Sequence, residues 1–205
     1  MVNTVVKLAV AAITGYLLGS INTSLVVGKF YKIDIRKHGS GNAGVTNTLR
    51  ILGKTAALLV LAGDALKGIL ACLTGHFLAG ETGTIIGGGF SILGHNWPVY
   101  FGLKGGKGVL TSFAVMVFTD WKLAMVTLAV FMVVVLLTRY VSLGSIVGAV
   151  ALPVAAVLLN RDVKIIIFSV LLGLLVIMRH RSNIERLING TESRLGRNQG
   201  DDVKR

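Results

Sequence analysis

The sequence predicts an all-α integral membrane protein that forms one polytopic domain over residues 1–205. Hydrophobic residues make up 53% of the chain and charged residues only 15%, whereas soluble domains carry about 25% charged residues. The mean hydropathy is +0.75. Apolar runs of membrane-crossing length separate the 26 glycines, so the glycines indicate neither collagen nor a low-complexity tract. This composition excludes a soluble globular protein.

Long apolar runs are the candidate transmembrane helices. The first run is expected to be retained as a span, because no small-x-small cleavage pattern of a signal peptide follows it. The run 109–138 has 30 residues, which would make a helix of about 45 Å against a hydrocarbon core of about 30 Å. It is therefore expected to turn at Asp120, Trp121 and Lys122. The runs are residues 8–27, 56–78, 82–101, 109–138, 141–159 and 163–178.

Basic residues predict the orientation. Segments 28–54 and 179–205 are the most basic, and short Lys- and Arg-rich segments prefer the cytoplasm. Both lie on one side if the chain crosses about seven times, with the amino terminus outside and the carboxyl terminus in the cytoplasm. Residues 109–119 make only about 17 Å of helix, so this short span is expected either to cross or to enter halfway.

The net charge indicates which classes of binding partner to expect. The chain has 21 Lys and Arg against 9 Asp and Glu, a net charge of +12, which favours anionic headgroups or substrates in a membrane protein. Nucleic acid is not an expected partner. Cys72 is the single cysteine, so an intramolecular disulfide is excluded.

The first glycine loop, residues 39–44, has the composition of a phosphate-binding segment. Closely spaced glycines let backbone amides converge on an anion, while hydroxyl, amide and guanidinium side chains add hydrogen bonds. Simple turn formation is the alternative. A dinucleotide fingerprint is not supported, because a βαβ unit is missing. The candidate ligands in and after this loop are Gly39, Ser40, Gly41, Asn42, Gly44, Thr46, Asn47 and Arg50.

The second glycine loop, residues 102–108, follows Gly94-His95-Asn96-Trp97-Pro98. It contains Lys104, Gly105, Gly106, Lys107 and Gly108, and this mixture of lysines and glycines also suits phosphate. It does not match a Walker A loop. The alternative is an interfacial anchor formed by Trp97, Tyr100 and the lysines.

A third polar segment, residues 179–187, follows the last apolar run. His180 and Asn183 are three residues apart and would share one face of a helix. Glu185 would lie off that face, which argues against a His180–Glu185 dyad. A basic flank that stops membrane transfer is the alternative interpretation.

Ionisable residues also occur inside the apolar runs. Asp64 and Lys67 are three apart on a predicted helix, and we interpret them as a structural pair, with an intramembrane functional site as the alternative. His76 and His95 lie nearer the ends of runs. The four histidines are scattered and no carboxylate cluster accompanies them, so a metal site is not expected.

Together the three polar segments resemble the bacterial PlsY family. The shared pattern is Gly-Ser-Gly-Asn-x-Gly-x-Thr-Asn with a following Arg, then Gly-His-x-x-Pro and Lys-Gly-Gly-Lys-Gly, then Arg-His-Arg-x-Asn-Ile-x-Arg-Leu with Glu192 downstream. The resemblance covers nearly the whole chain. Two departures are Val45, where alanine is expected, and the basic tail that continues to Arg205.

The resemblance implies an acyl-phosphate-dependent glycerol-3-phosphate acyltransferase in the bacterial inner membrane, acting at the cytoplasmic face. The 1-hydroxyl of glycerol 3-phosphate would attack acyl phosphate directly, giving lysophosphatidic acid and phosphate in the first committed step of phospholipid synthesis. Acyl phosphate is an activated anhydride, so a nucleophilic cysteine is not required. No metal or organic cofactor is implied. A partner enzyme that produces acyl phosphate is compatible with this reaction.

The resemblance also implies residue roles. Ser40, Arg50 and Lys104 would hold the phosphate of glycerol 3-phosphate, with Ser142 as a further donor. Acyl phosphate would be held by Lys107, the Gly105 and Gly106 amides, His180 and Asn183. The proton acceptor is left open between His180 and the departing phosphate, which we favour. Glu192 would serve the fold by pairing with a nearby arginine.

The alternative function is a small transporter or channel for an anionic solute. Asp64 and Lys67 are its support, because transport paths place ionisable residues near the midplane. Most polar segments instead lie on one predicted face of the membrane, which favours the enzyme.

Overall fold

The computed structural model describes residues 3–196, and all regular structure within them is helical. The chain divides into two compact units, Met1–Trp121 and Lys122–Arg205. The basic residues Arg197, Lys204 and Arg205 of the predicted cytoplasmic tail lie outside the described residues. The α-helices are α1 Thr4–Ser20, α2 Thr23–Phe30, α3 Val45–Asn96, α4 Val109–Thr119, α5 Trp121–Thr138, α6 Val141–Leu158, α7 Val163–Arg179 and α8 Arg181–Ile188, with short 3₁₀ helices at Ile35–Lys37 and Val99–Phe101.

The first predicted span is interrupted in the structure. Helix α1 ends at Ser20, and α2 begins at Thr23 after the buried Asn22. The Asn22 side chain accepts a hydrogen bond from the Leu25 amide at 3.2 Å, which caps α2 and stabilises a new helix start. The uninterrupted helix expected over residues 8–27 is therefore corrected to two helices joined by a short break.

Helix α3 contains a sharp reversal at Ala79 and Gly80, whose backbone angles are not helical. Gly75 packs against the backbone of Gly83, and Gly87 packs against that of Ala71, so the two halves of α3 run side by side in opposite directions. This confirms the predicted break between residues 78 and 82. The second half ends at Asn96, five residues before the expected end at 101, because Pro98 disfavours helical geometry in the preceding residue.

Glycines allow α1 to lie directly against α3 in the first unit. A Cβ atom at Gly15 would meet the backbone of Gly87, and one at Gly19 would meet the backbone of Ser91. Such small residues allow close helix approach where burying apolar surface away from water provides little driving force. Helices α2 and α4 also pack against α3. This arrangement brings the starts and ends of both glycine loops onto α3.

The second unit packs α6 against α7, with Gly173 of α7 against the Ala149 carbonyl of α6. Helix α5 packs on α6 through Phe131 and Val135, which surround Gly144. Helix α4 ends at Thr119 and α5 begins at Trp121, so the helix is interrupted at Asp120 as predicted. Helix α8 bends away from α7 by 58° and packs on α6 and α7.

Four candidate membrane spans satisfy length and apolarity in the described chain: Thr4–Phe30, Val45–Phe101, Trp121–Thr138 and Val141–Leu158. The bent pair of α7 and α8 supplies a fifth, and Val109–Thr119 is a shorter apolar helix. Large apolar side chains such as Phe77, Leu137 and Leu158 are exposed at 82%, 80% and 73%. Such exposed apolar surfaces suit contact with lipid.

We predict that Gly15→Val destabilises the first unit, because the added side chain meets the Gly87 backbone and must push α1 from α3. The expected loss is about 1–3 kcal/mol, the range for overpacking a closely packed contact. Thermal unfolding in detergent should show a lower Tm for Gly15→Val than for Ile13→Val, a substitution at a 60% exposed position of the same helix. Equal Tm values would contradict the close packing.

Candidate active site

Asn47 organises the first glycine loop. Its Oδ1 accepts a hydrogen bond from the Ser40 amide at 2.9 Å, and its Nδ2 donates to the carbonyls of Ile35 at 3.2 Å and His38 at 3.0 Å. The side chain is only 1% exposed. This differs from the expected ligand role, because the amide group of Asn47 is engaged by the loop. Asn47 therefore positions Ser40.

The first glycine loop leads directly into α3. Gly39 has φ +58° and lies against Asn47 Oδ1, so a side chain at residue 39 would be both strained and crowded. Gly44 precedes the first turn of α3 without a side-chain cap. Ser40 and Arg50 are exposed, whereas Asn42 and Thr46 are partly buried. The structure thus keeps a hydroxyl and a guanidinium at the surface near a helix start that favours anions.

The amides of the second glycine loop have protein partners. Gly105 N donates to the Asn96 carbonyl and Gly106 N to the His95 carbonyl, each at 3.2 Å. The expectation that these two amides hold acyl phosphate is therefore corrected: they attach the loop to the end of α3. Lys104 is exposed and Lys107 is partly buried.

Arg36 joins the two glycine loops, a role that the sequence did not reveal. Its guanidinium pairs with both carboxylate oxygens of Asp34 at 3.0 Å and donates to the carbonyls of Phe101 at 3.0 Å and Lys104 at 3.4 Å. The side-chain hydrogen bond from Arg36 lowers the pKa of Asp34. Gly106 also packs closely on the Ala43 carbonyl. The two loops consequently form one assembled surface within the first unit.

Asp64 and Lys67 form the predicted ion pair, with Lys67 Nζ 2.8 Å from Asp64 Oδ1. The sequence did not predict their third partner, His95, whose Nδ1 is also 2.8 Å from Lys67 Nζ. His76, by contrast, contacts the Thr84 hydroxyl at 3.3 Å and lies elsewhere in α3. The buried polar contacts thus connect the middle of α3 with its end, next to the second glycine loop.

Glu192 gathers the predicted site residues of the second unit. Its Oε1 accepts hydrogen bonds from the Ser142 hydroxyl at 2.6 Å and the Asn183 side-chain amide at 2.7 Å, and its Oε2 accepts one from Arg186 at 2.7 Å. Burial raises the pKa of Glu192, but the hydrogen bonds from these three groups outweigh it, and the pKa lies below its ordinary value. The predicted arginine pairing of Glu192 is confirmed.

His180 lies at the bend between α7 and α8. Its Nδ1 is 2.7 Å from the Val176 carbonyl, and only 2% of the residue is exposed. A carbonyl only accepts hydrogen bonds, so Nδ1 carries a proton and Nε2 carries the lone pair of the neutral ring. Because His180 precedes α8, the expectation that His180 and Asn183 share one continuous helix is corrected. The backbone N–H of Asn183 donates to the His180 carbonyl at 2.8 Å.

Within residues 3–196, no three His, Cys, Asp or Glu side chains lie close enough to hold a metal ion. Cys72 is fully buried in the first unit. The exposed residues Ser40, Arg50 and Lys104 lie in the two glycine loops or just after the first of them.

A family model described as glycerol-3-phosphate acyltransferase matches residues 9–190 of the chain. The chain belongs to this family. A glycerol-3-phosphate acyltransferase of Thermoanaerobacter pseudethanolicus is 48% identical over 186 residues, which are 90% of this chain and 94% of that protein. One of Clostridioides difficile is 43% identical, with 91% and 95% covered.

Two crystal structures of PlsY, an integral membrane glycerol 3-phosphate acyltransferase, are similar to this chain. The glycerol 3-phosphate form has a TM-score of 0.87 at 36% identity and covers 97% of this chain and 99% of PlsY. The lysophosphatidic acid form has a TM-score of 0.84 at 37% identity, with 92% and 95% covered. The resemblance to PlsY found in the sequence is confirmed. The chain is a membrane acyltransferase of phospholipid synthesis, which argues against the transporter alternative.

We predict that Asn47→Asp strongly lowers activity although it changes one atom. The carboxylate still accepts a hydrogen bond from the Ser40 backbone N–H. It has no hydrogen to donate to the Ile35 and His38 carbonyls, so buried oxygen atoms that only accept hydrogen bonds face one another. A decrease in kcat/KM of about tenfold or more is expected, the equivalent of about 1.4 kcal/mol. The control is Asn160→Asp at an exposed position. Equal kinetics for both variants would show that Asn47 does not position the loop.

A second prediction concerns acid stability. Folding lowers the pKa of Glu192, so its carboxylate stabilises the folded protein above the ordinary glutamate pKa, and this contribution is lost as the pH falls through the lowered value. The Tm of the wild type should therefore fall more between pH 7 and acidic pH than that of Glu192→Gln. Thermal unfolding in detergent measures the difference. An equal fall in Tm with pH in the two proteins would contradict the lowered pKa of Glu192.

Proposed function

We propose that this family member transfers a fatty acyl group from acyl phosphate to the 1-hydroxyl of glycerol 3-phosphate. The observation that carries the proposal is the junction of the two glycine loops through Arg36, which binds the Phe101 and Lys104 carbonyls. It holds lysine- and serine-bearing loops together at one end of the first unit. Both substrates carry phosphate, so a rigid basic surface suits both.

Ser40, Arg50 and Lys104 are proposed to bind the phosphate of glycerol 3-phosphate. All three residues are exposed, and Ser40 is held by the hydrogen bond from its backbone N–H to Asn47 Oδ1. Arginine can bind phosphate oxygens with two parallel hydrogen bonds, and lysine adds a point charge. The amino end of α3 supplies a favourable dipole, with Gly39, Gly41, Asn42, Gly44 and Thr46 shaping the approach. The expectation that Ser142 is a further donor is corrected, because its one hydroxyl hydrogen is donated to Glu192 Oε1 at 2.6 Å.

Lys107, His180 and Asn183 are proposed to act on acyl phosphate. The hydroxyl oxygen forms a bond to the acyl carbon, the bond from that carbon to the phosphate oxygen breaks, and phosphate leaves with its electron pair. The hydroxyl proton goes to the departing phosphate. Lys107 offsets the charge of that phosphate, and Asn183 donates to the carbonyl oxygen as negative charge develops on it. His180 Nε2 is the alternative acceptor of that proton.

The three hydrogen bonds that Glu192 accepts support a positioning role for this residue in the second unit. Glu192 holds Ser142 and Asn183 through one carboxylate oxygen, so it orients one proposed ligand, Asn183, without contacting substrate itself. A carboxylate that holds a ligand side chain by a hydrogen bond limits the rotation of that side chain and lowers the entropy lost when it is ordered for reaction. Gly108 ends the second glycine loop, where a Cβ would lie 2.7 Å from Asn96 Oδ1.

The membrane arrangement is also a proposal. Seven crossings, including the short helix α4, would leave the amino terminus outside and the carboxyl terminus in the cytoplasm of the bacterial inner membrane. The strongly basic segments support this orientation. Residues 1–205 are proposed to form one polytopic membrane domain. Acyl phosphate would reach the site from the membrane or from an enzyme that produces it.

The test is phosphate release by purified protein in detergent with palmitoyl phosphate and glycerol 3-phosphate. Release should require both substrates, and Arg50→Ala should reduce kcat/KM by about a hundredfold or more, since it removes a charged phosphate contact. Lys164→Ala, which removes an exposed lysine at the start of α7, is the matched control and should leave kinetics unchanged.

Acyl-CoA serves as a parallel donor in the same assay. Turnover with acyl-CoA alone would retain the acyltransferase and overturn the proposed donor. Equal activity in Arg50→Ala and Lys164→Ala would overturn the proposed role of Arg50. Failure of the folded wild type with both donors would overturn the proposed reaction.

A further inference from the structure

A buried polar cluster lies beneath the second glycine loop, formed by Asp64, Lys67, His95 and Thr111. The Lys67 ammonium is 2.8 Å from both Asp64 Oδ1 and His95 Nδ1, and Asp64 Oδ1 is 3.6 Å from His95 Nδ1. The Thr111 hydroxyl lies 3.4 Å from the Asp64 carbonyl and 3.5 Å from His95 Nδ1. The four residues are between 0% and 5% exposed.

Stability alone gives a poor account of this cluster. Removing two charges from water costs several kcal/mol per ion, and a well-packed apolar pair of similar size is often as stable or more stable. Ionisable groups inside apolar helices are therefore candidates for a functional role. The question is which part of the active site this cluster controls.

Lys67 determines the orientation of His95. Besides Asp64 and His95, Lys67 Nζ donates to the Ile21 carbonyl at 3.1 Å, so its three N–H bonds have three partners. An ammonium is only a donor, so His95 Nδ1 accepts and the proton of the neutral ring is on Nε2. The opposite edge of the ring is thereby directed away from Lys67.

That opposite edge contacts the second glycine loop. A Cβ atom at Gly106 would overlap both His95 Nε2 and the Ala43 carbonyl, so the ring lies directly against the junction of the two glycine loops. The His95 carbonyl also accepts from the Gly106 amide at 3.2 Å and from Asn22 Nδ2 at 3.5 Å. His95 therefore contacts the loop through its ring and through its backbone.

The cluster also holds the segments around both loops. The Ile21 carbonyl and the Thr23 amide, the latter 3.4 Å from Asp64 Oδ1, belong to the break between α1 and α2. Helix α2 leads into the first glycine loop. Thr111 belongs to the first turn of α4, just after the second glycine loop. The cluster thus connects the segments that enter and leave the phosphate-binding surface.

We propose that Asp64, Lys67, His95 and Thr111 are positioning residues that set the second glycine loop, and with it Lys104, for binding glycerol 3-phosphate. The proposal rests on the proposed function of that loop. The cluster is buried and makes its contacts with α3, α4 and the break between α1 and α2, so it acts through Gly106 and the backbone at the end of α3. The Asp64–Lys67 pair serves the geometry of an anion site in a different segment of the chain.

The principal test is the double variant Asp64→Leu with Lys67→Met, which removes both charges and leaves neither unpaired. Isothermal titration with glycerol 3-phosphate measures its dissociation constant, and steady-state kinetics give KM for each substrate and kcat. A displaced loop should weaken glycerol 3-phosphate binding and raise its KM by about tenfold or more, since misplacement of about 1 Å can cost about a hundredfold. Loss of folded protein alone would lower apparent kcat and leave KM unchanged.

Three single variants, which remove or keep one hydroxyl each, test the proposal if the double variant does not fold. Thr111→Val removes the hydroxyl beside His95, Thr111→Ser retains it, and Thr84→Val removes the comparable hydroxyl beside His76. Thr111→Val should weaken glycerol 3-phosphate binding by about threefold or more, the effect of one hydrogen bond. Thr111→Ser and Thr84→Val should bind like the wild type.

Unchanged binding and KM in the folded double variant would overturn the positioning role. If that variant does not fold, equal binding by Thr111→Val and Thr84→Val would overturn it. Failure of the proposed donor is distinguishable, because wild-type protein would still bind glycerol 3-phosphate in the titration without turning over palmitoyl phosphate.

Discussion

The Lys67 ammonium is buried inside the first unit, and its hydrogen bonds hold several segments of the chain together. An ammonium surrounded by apolar helices needs a partner for each N–H bond, because lipid and hydrocarbon side chains supply none. Asp64, His95 and the Ile21 carbonyl meet that need. These partners come from the middle of α3, its end, and the break before α2. Satisfying one charge therefore fixes three chain segments relative to one another.

Hydrogen bonds within the protein also order the two glycine loops. The loop amides at Gly105 and Gly106 bind carbonyls at the end of α3, and Asn47 holds the first loop from within. The backbone is therefore already ordered before a ligand arrives, which reduces the entropy lost on binding. Charge is left to exposed side chains, Lys104 and Arg50 in particular. Arg36 completes this division by joining the loops through carbonyl groups rather than through a ligand.

The second unit uses a carboxylate for a comparable purpose. Glu192 accepts from Ser142, Asn183 and Arg186, which belong to α6 and α8. A carboxylate has several acceptor sites, so it can hold several donors at once. In a protein with more positive than negative charge, the few buried or partly buried acids thus have an ordering role. Asp34 with Arg36, Asp64 with Lys67 and Glu192 with Arg186 each show it.

Apolar run lengths, the interruption at Asp120 and the three polar segments were readable from the sequence, because each depends on local composition and spacing. The family pattern was readable for the same reason. The Asp64–Lys67 contact followed from helical spacing alone. The break at Asn22 was missed, since a single asparagine in an apolar run gives little local signal of a helix start. The engagement of the Gly105 and Gly106 amides was missed because their partners come from another segment.

A helical membrane acyltransferase and its three polar segments could be predicted from the sequence, because hydropathy and motif chemistry are properties of contiguous residues. The contacts that several residues of those segments make could be found only from the packing of the helices. Arg36 joining two loops, His95 joining Lys67 to Gly106, and Asn47 serving its own loop all depend on contacts across the fold. Hydrogen-bond partners are chosen by distance in space, and the packing of helices sets that distance.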